Sequence, residues 1–218
     1  MTRHSFDNHL QILHNDLLRM GSIVEKQIFL SMKALVDQKM DVAGQVIDND
    51  DLVDDLQKEV EDKCIKLIAM EQPLAIDLRN IFTSIKIATD LERIADHAVD
   101  IAKISIILKD EVYFKQLIDI PKMFDIVKTM VKESLDSYVE ENVEEAYNIC
   151  KRDDEIDSLY KSIFNELLQG MVRDSSTIKQ ASQLLFVCKY LERIADHCTN
   201  ICEDTIYLVT GEQKDLNE

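Results

Sequence analysis

The string Leu91-Glu92-Arg93-Ile94-Ala95-Asp96-His97 occurs twice in this chain. It returns letter for letter as Leu191-Glu192-Arg193-Ile194-Ala195-Asp196-His197, an offset of 100. Upstream, Asp50-Asp51-Leu52-Val53-Asp54 corresponds to Asp153-Asp154-Glu155-Ile156-Asp157, an offset of 103. Matching strings in matching order require a duplicated unit, so whatever the first half folds into, the second half folds into as well. The change of offset predicts a link three residues shorter between the second and third elements of the second half. Two units are too few for a solenoid, which needs more repeats to cover its core.

Each unit is helical. Phe6, Leu10, Leu13, Leu17, Met20, Val24, Ile28, Met32 and Leu35 recur at steps of three and four, the stripe of one long amphipathic helix. A second helix is expected over about 40–70, with Val53, Leu56, Val60, Cys64 and Leu67 inward. Pro73 then favours a stop and a new start. A third is expected over about 74–108. The period lapses over 109–121, resumes with Phe124, Val127, Val131, Leu135 and Tyr138, and continues over about 144–170 and 177–208. Gly and Pro total 4 + 2 = 6 residues, where average usage would give about 26. That scarcity excludes an all-β fold, which turns at Gly and Pro on every corner. The expectation is an all-α chain of two tandem three-helix bundles related by internal duplication, divided as 1–110 and 111–218.

Composition restricts the partners. Asp and Glu number 42 against 25 Lys and Arg, a formal charge of −17. Such a chain lacks the phosphate-neutralising surface of a nucleic-acid binder, and an anionic membrane surface repels it. No apolar run approaches the length of a membrane span, and the opening MTRHSFDNHLQ has no signal-peptide core. Five cysteines without a CxxC motif suit free thiols in a reducing cytoplasm.

At 100° per residue, Leu91, Ile94, Ala95, Ala98, Ile101 and Ala102 share the core side, and Leu191, Ile194, Ala195, Cys198, Ile201 and Cys202 repeat that side. Glu92 and Asp96 lie one turn apart on the opposite side, as do Glu192 and Asp196. On the preceding helix Asp50 and Asp54 pair in the same way, and so do Asp153 and Asp157. Each half therefore offers four carboxylates on two neighbouring helices, the oxygen donor set of a hard cation such as Mg²⁺, Mn²⁺, Ca²⁺ or iron. The competing reading is a solvated acidic face, and for any single pair that reading is preferred. Four pairs at matched positions favour metal.

Other candidates are weaker. His97 and His197 point away from the acid row, so a ring filling a surface gap or pairing with Arg93 or Arg193 is the preferred reading. His4, His9 and His14, five apart, rotate around their helix and make no metal face. Cys198 and Cys202 read as small core residues. Glu92 and His97 are five apart, unlike the Glu-x-x-His of di-iron bundles. No phosphate-cradling glycine loop, HExxH or Gly-x-Ser-x-Gly occurs. No catalytic apparatus is visible.

The strings QPLAIDLRNI (residues 72–81), DLERIADHAVDIA (90–102) and YLERIADHCTNI (190–201), with the opening helix and its Arg19-Met20-Gly21, resemble the PhoU family over nearly the whole chain. The resemblance implies a cytoplasmic accessory protein of the phosphate ABC transport system, a negative regulator of phosphate uptake and phosphate-starvation signalling. The implied partners are the transporter's ATPase subunit and a phosphate-sensing histidine kinase, with homodimers or higher oligomers usual. It implies metal clusters (iron, Mn, Mg or Zn) at Asp50/Asp54 with Glu92/Asp96 and at Asp153/Asp157 with Glu192/Asp196. Ala95 and Ala195 stand where the family commonly has glycine, and Asp77-Leu78-Arg79 has Thr177-Ile178-Lys179 as its counterpart. The alternatives are a metalloenzyme or a metal-buffering protein using the same carboxylates.

Overall fold

A computed structural model describes residues 3–216. Among these residues the chain is helical with no strand, and no helix is long and apolar enough to cross a membrane. The first half runs α1 (Arg3–Asp37), α2 (Met40–Asp48), α3 (Asp50–Glu71) and α4 (Ala75–Ile107). The second runs α5 (Asp119–Val139), α6 (Val143–Cys150), α7 (Asp153–Arg173) and α8 (Ile178–Thr210), with a 3₁₀ turn at Ser175–Thr177 leading into α8. Each half is a three-rod bundle, and the two halves repeat one another.

The second rod of each bundle is broken, where the periodicity predicts one helix. The breaks fall at Asn49 and at Lys151-Arg152, without Pro or Gly to announce them. The first rod of each bundle pins its break from the side. Gln27 Nε2 donates to the Asn49 carbonyl at 3.0 Å, and Arg152 pairs with Glu133. The breaks put Asp50 and Asp153 at the first positions of new helices, where unpaired backbone N–H groups favour negative charge.

Other boundaries follow ordinary rules. Gln72 adopts a left-handed conformation (φ 47°) and Pro73 follows, ending α3. Pro121 sits in the first turn of α5, where its missing N–H costs nothing. Asn142 caps α6 by accepting from Glu145 N at 3.1 Å. Residues 72–74 join α3 to α4, whereas only Asp174 separates α7 from the 3₁₀ turn, and α7 is 21 residues long against 22 for α3. The three-residue offset lies at this corner.

One apolar core passes through both halves. It contains the residues expected inside: Leu91, Ile94, Ala95, Ala98 and Ile101, and their counterparts Leu191, Ile194, Ala195, Cys198 and Ile201, with Cys202. Ala102 is also buried, in a smaller cluster with Ala34, Ala43 and Val46. All five cysteines are buried free thiols. The halves meet along α4 and α8 and along α1 and α5. Contacts pair Lys86 with Asp204, Asp90 with His197 and His97 with Tyr190, so α4 and α8 run antiparallel. Gly21 lets α1 approach α5, because a Cβ there would lie 2.3 Å from Leu135 Cδ1. The link over 108–118 is tied down by Gln38 Nε2, which donates to the carbonyls of Leu108 and Glu111. Tyr113 donates to the Leu35 carbonyl in the same region.

Candidate metal centre

The sequence places four carboxylates on two helices of each half, and the fold brings each set of four together. Asp50 and Asp54 lie on the first two turns of α3, beside Glu92 and Asp96 of α4. The carboxylates act on one another: Asp50 senses Asp96 and Asp54, and Glu92 senses Asp96, Asp54 and Asp50. In the second half Asp153 of α7 senses Asp196, Asp157 and Glu192. Burial first, and these like charges second, hold the Asp50, Glu92 and Asp196 carboxyls above their ordinary values. The same causes push Asp153 to about 6.

The helical wheel turns the acid row to open water, but the fold covers it in part. All eight carboxylates are half-buried in the grooves between helices. Asp153 Oδ1 is buried with neither a hydrogen-bond donor nor an ion-pair partner, whereas the buried Glu92 Oε2 faces Arg93 Nε at 3.4 Å. A buried, unpaired carboxylate oxygen is costly, and a bound cation would remove that cost. In that respect the donor set fits a hard metal ion. Among the described residues, however, no three His, Cys, Asp or Glu side chains converge closely enough to hold one as they stand.

The basic neighbours are few. Arg93 pairs with Glu92 at 3.4 Å and with Asp96 at 3.1 Å, and Lys189 pairs with Glu192 at 2.5 Å. Lys161 pairs with Asp157 at 2.8 Å. The second cluster lines a cavity of about 390 Å³ with Asp153, Asp157, Glu192 and Asp196, and Leu216 closes one side. Asp50 and Asp96 of the first cluster open instead into a cavity of about 620 Å³ at the crossing of α4 and α8.

The histidines of the repeated string depart from their expected roles. His97 is buried, stacks on Tyr190 (centroids 5.5 Å) and meets the ring of His197 at 5.8 Å. Burial, the neighbouring His197 and Arg193 drop its imidazole to about 4. His197 bonds Asp90 through Nδ1 at 2.8 Å. The expectation is a ring that fills a surface gap or pairs with Arg93 or Arg193; instead, antiparallel docking sets each histidine against the other copy's helix. On α1, His14 bonds Asn80 at 3.1 Å and stands edge-on to Tyr138. The His4 side chain lies outside the described residues.

The family model described as "PhoU domain" matches residues 17–105 and again 120–205. The chain belongs to the PhoU family. It is 57% identical to the phosphate-specific transport system accessory protein PhoU homolog of Clostridium acetobutylicum, over the full length of both chains. A crystal structure of PhoU from Pseudomonas aeruginosa superposes with a TM-score of 0.92 at 33% identity, covering 95% of this chain and 100% of that one. The phosphate transport system regulatory protein PhoU from Streptococcus pneumoniae gives 0.90 at 30% identity, covering 96% and 99%. These PhoU relatives carry the names of accessory and regulatory proteins of phosphate transport.

Sequence reasoning missed three features of this PhoU fold. Asp204, buried in α8, pairs with Lys86 of α4. Asp90 accepts from both His197 and Asn200. Arg193 stands on the wall of the larger cavity. One signal was available: Asp90 and Tyr190 immediately precede the two identical strings and are the first residues to differ.

Proposed function

We propose that the protein restrains phosphate uptake and phosphate-starvation signalling when phosphate is plentiful. It acts in the cytoplasm as a homodimer or higher oligomer, against the phosphate transporter's ATPase subunit and a phosphate-sensing histidine kinase. The observation that carries this reading is the full-length relationship to an accessory protein of phosphate-specific transport. The surface is consistent with protein partners. Met70, Leu74, Ile76 and Phe82 expose more than half of their area around the α3–α4 corner, apolar surface that a docked protein would cover.

Cations belong to the same reading. Asp50, Asp54, Glu92 and Asp96 would hold one set, and Asp153, Asp157, Glu192 and Asp196 the other. The unpartnered oxygen of Asp153 supports this assignment in the second half. When bound, the ions supply positive charge that neutralises the crowded carboxylates and ties α3 to α4 and α7 to α8. Burial already disfavours the ionised carboxylates, so the unloaded clusters are points of stored repulsion.

Deletion of the gene tests the regulatory role. Starvation-gene reporter output in phosphate-rich medium is expected to rise several-fold. Unchanged output contradicts it.

A further inference from the structure

We propose that the cavity at the crossing of α4 and α8 is an inorganic phosphate site, assembled from both copies of the repeated string and strengthened by cations in the adjoining carboxylate clusters. The clause about cations rests on the ion-binding reading above. The site itself rests on the residues of the cavity.

The cavity holds about 620 Å³ and neither half forms it alone. Arg93 and His97 of α4 meet Arg193 and His197 of α8 around it, and Lys103 adds a third cation. The two arginines are differently engaged. Arg93 is paired with Glu92 and Asp96. Arg193 has no ion pair or hydrogen bond among the described residues. A guanidinium presents a planar fork of donors that matches two oxygens of a tetrahedral oxyanion. His97, nine-tenths buried, lines the same cavity, and its Nδ1 has no hydrogen-bond partner. Asp90 holds the His197 ring in place from behind.

The acids in the lining choose among oxyanions. Asp50, Asp96, Asp100 and Asp196 stand among the three cations. Phosphate near neutral pH still carries at least one proton and donates it to a carboxylate. Sulfate carries none, so each carboxylate repels it and gains no hydrogen bond. A purely basic cavity would accept both. The same acids make the empty lining slightly negative, 3 − 4 = −1, within a chain of net charge −17. A divalent ion in each cluster would offset the carboxylates beside the cavity, make the local potential less negative and so favour the anion. Phosphate binding and cation loading are therefore coupled, each raising the affinity for the other.

The test is equilibrium dialysis of radiolabelled inorganic phosphate against the full chain, either loaded with Mn²⁺ or stripped with chelator. The Mn²⁺-loaded protein is expected to bind phosphate about tenfold more tightly than the stripped protein. Sulfate is expected to compete at least about tenfold more weakly than phosphate. Arg193→Ala breaks no hydrogen bond or ion pair among the described residues and should lower phosphate affinity about tenfold, the value of one charge-assisted bond, with Mn²⁺ stoichiometry unchanged. Mn²⁺ uptake without phosphate binding overturns the inference, as does equal competition by sulfate or an indifferent Arg193→Ala. If the chain takes up no Mn²⁺, the ion-binding reading fails and the stripped protein decides the phosphate site. Arg193-dependent, sulfate-excluding binding then sustains it, and absence of binding overturns it.

Discussion

His97 and His197 meet ring to ring where α4 and α8 cross, with centroids 5.8 Å apart. They are the same residue of a duplicated string, brought together because the helices run antiparallel. Their surroundings differ. Asp90 holds His197, whereas Tyr190, the residue equivalent to Asp90, stacks on His97. Duplication supplied the pair, and divergence of one flanking position gave each ring its own support.

Removing that support should be measurable. Asp90→Ala removes the carboxylate oxygen that accepts from His197 Nδ1 and Asn200 Nδ2. A loss of about 1–2 kcal/mol is expected in urea unfolding. Asp90→Asn keeps an acceptor oxygen and should lose less.

The contact between α1 and α5 depends on one missing side chain. A Cβ at Gly21 would lie 2.3 Å from Leu135 Cδ1. Alanine asks only a flexible leucine tip to move, and its helix propensity offsets part of the strain. Valine cannot be accommodated so simply. Gly21→Val is expected to destabilise by about 1–3 kcal/mol, read as a lower thermal midpoint, with Gly21→Ala much closer to wild type.

Asp204 gives stability a pH dependence of defined sign. Burial raises its carboxyl from 3.8 to about 6, against the opposing pull of Lys86. The folded chain therefore binds the proton more tightly than the unfolded chain. Stability falls as pH rises from about 4 to about 6, by at most about 3 kcal/mol for this group. Asp204→Asn removes that contribution, so relative to wild type the variant should gain stability between pH 4.5 and pH 7. An equal difference at both pH values would contradict the burial account. The raised carboxyls of Asp50, Glu92, Asp153 and Asp196 act in the same direction and should leave a residual slope in the variant.

The exposed apolar corner between α3 and α4 bears on partner choice. Leu74 is 69% exposed and Phe82 54%, so neither contributes much to the core. Leu74→Glu and Phe82→Glu are expected to leave the thermal midpoint within a few degrees of wild type. The same variants should weaken co-purification with the transporter's ATPase subunit. Undiminished co-purification would remove this corner from the docking surface.

The apolar stripes were legible in the sequence because a 3.6-residue period reports burial directly. Val53, Val60, Leu91, Ile194 and Cys198 all sit where that period puts them. The breaks at Asn49 and Lys151-Arg152 were not legible. They are held by Gln27 and Glu133 on a neighbouring helix, a tertiary cause that leaves no local Pro or Gly signal. The grouping of the eight carboxylates followed from the duplicated spacing. Their half-burial did not, since a helical wheel shows which side a residue occupies and not how closely the next helix covers it. The meeting of His97 with His197 needed the antiparallel crossing, which depends on contacts about 100 residues apart.

Metal content per chain tests the central claim most directly. Protein purified without added metal is analysed for bound ions, alongside two variants. One carries Asp50→Asn, Asp54→Asn, Glu92→Gln and Asp96→Asn; the other carries the matching changes at Asp153, Asp157, Glu192 and Asp196. Wild type is expected to retain ions, and each variant to lose the share of its own half while keeping the other. Equal metal content in wild type and both variants would contradict the assignment of these carboxylates as the ion-holding groups.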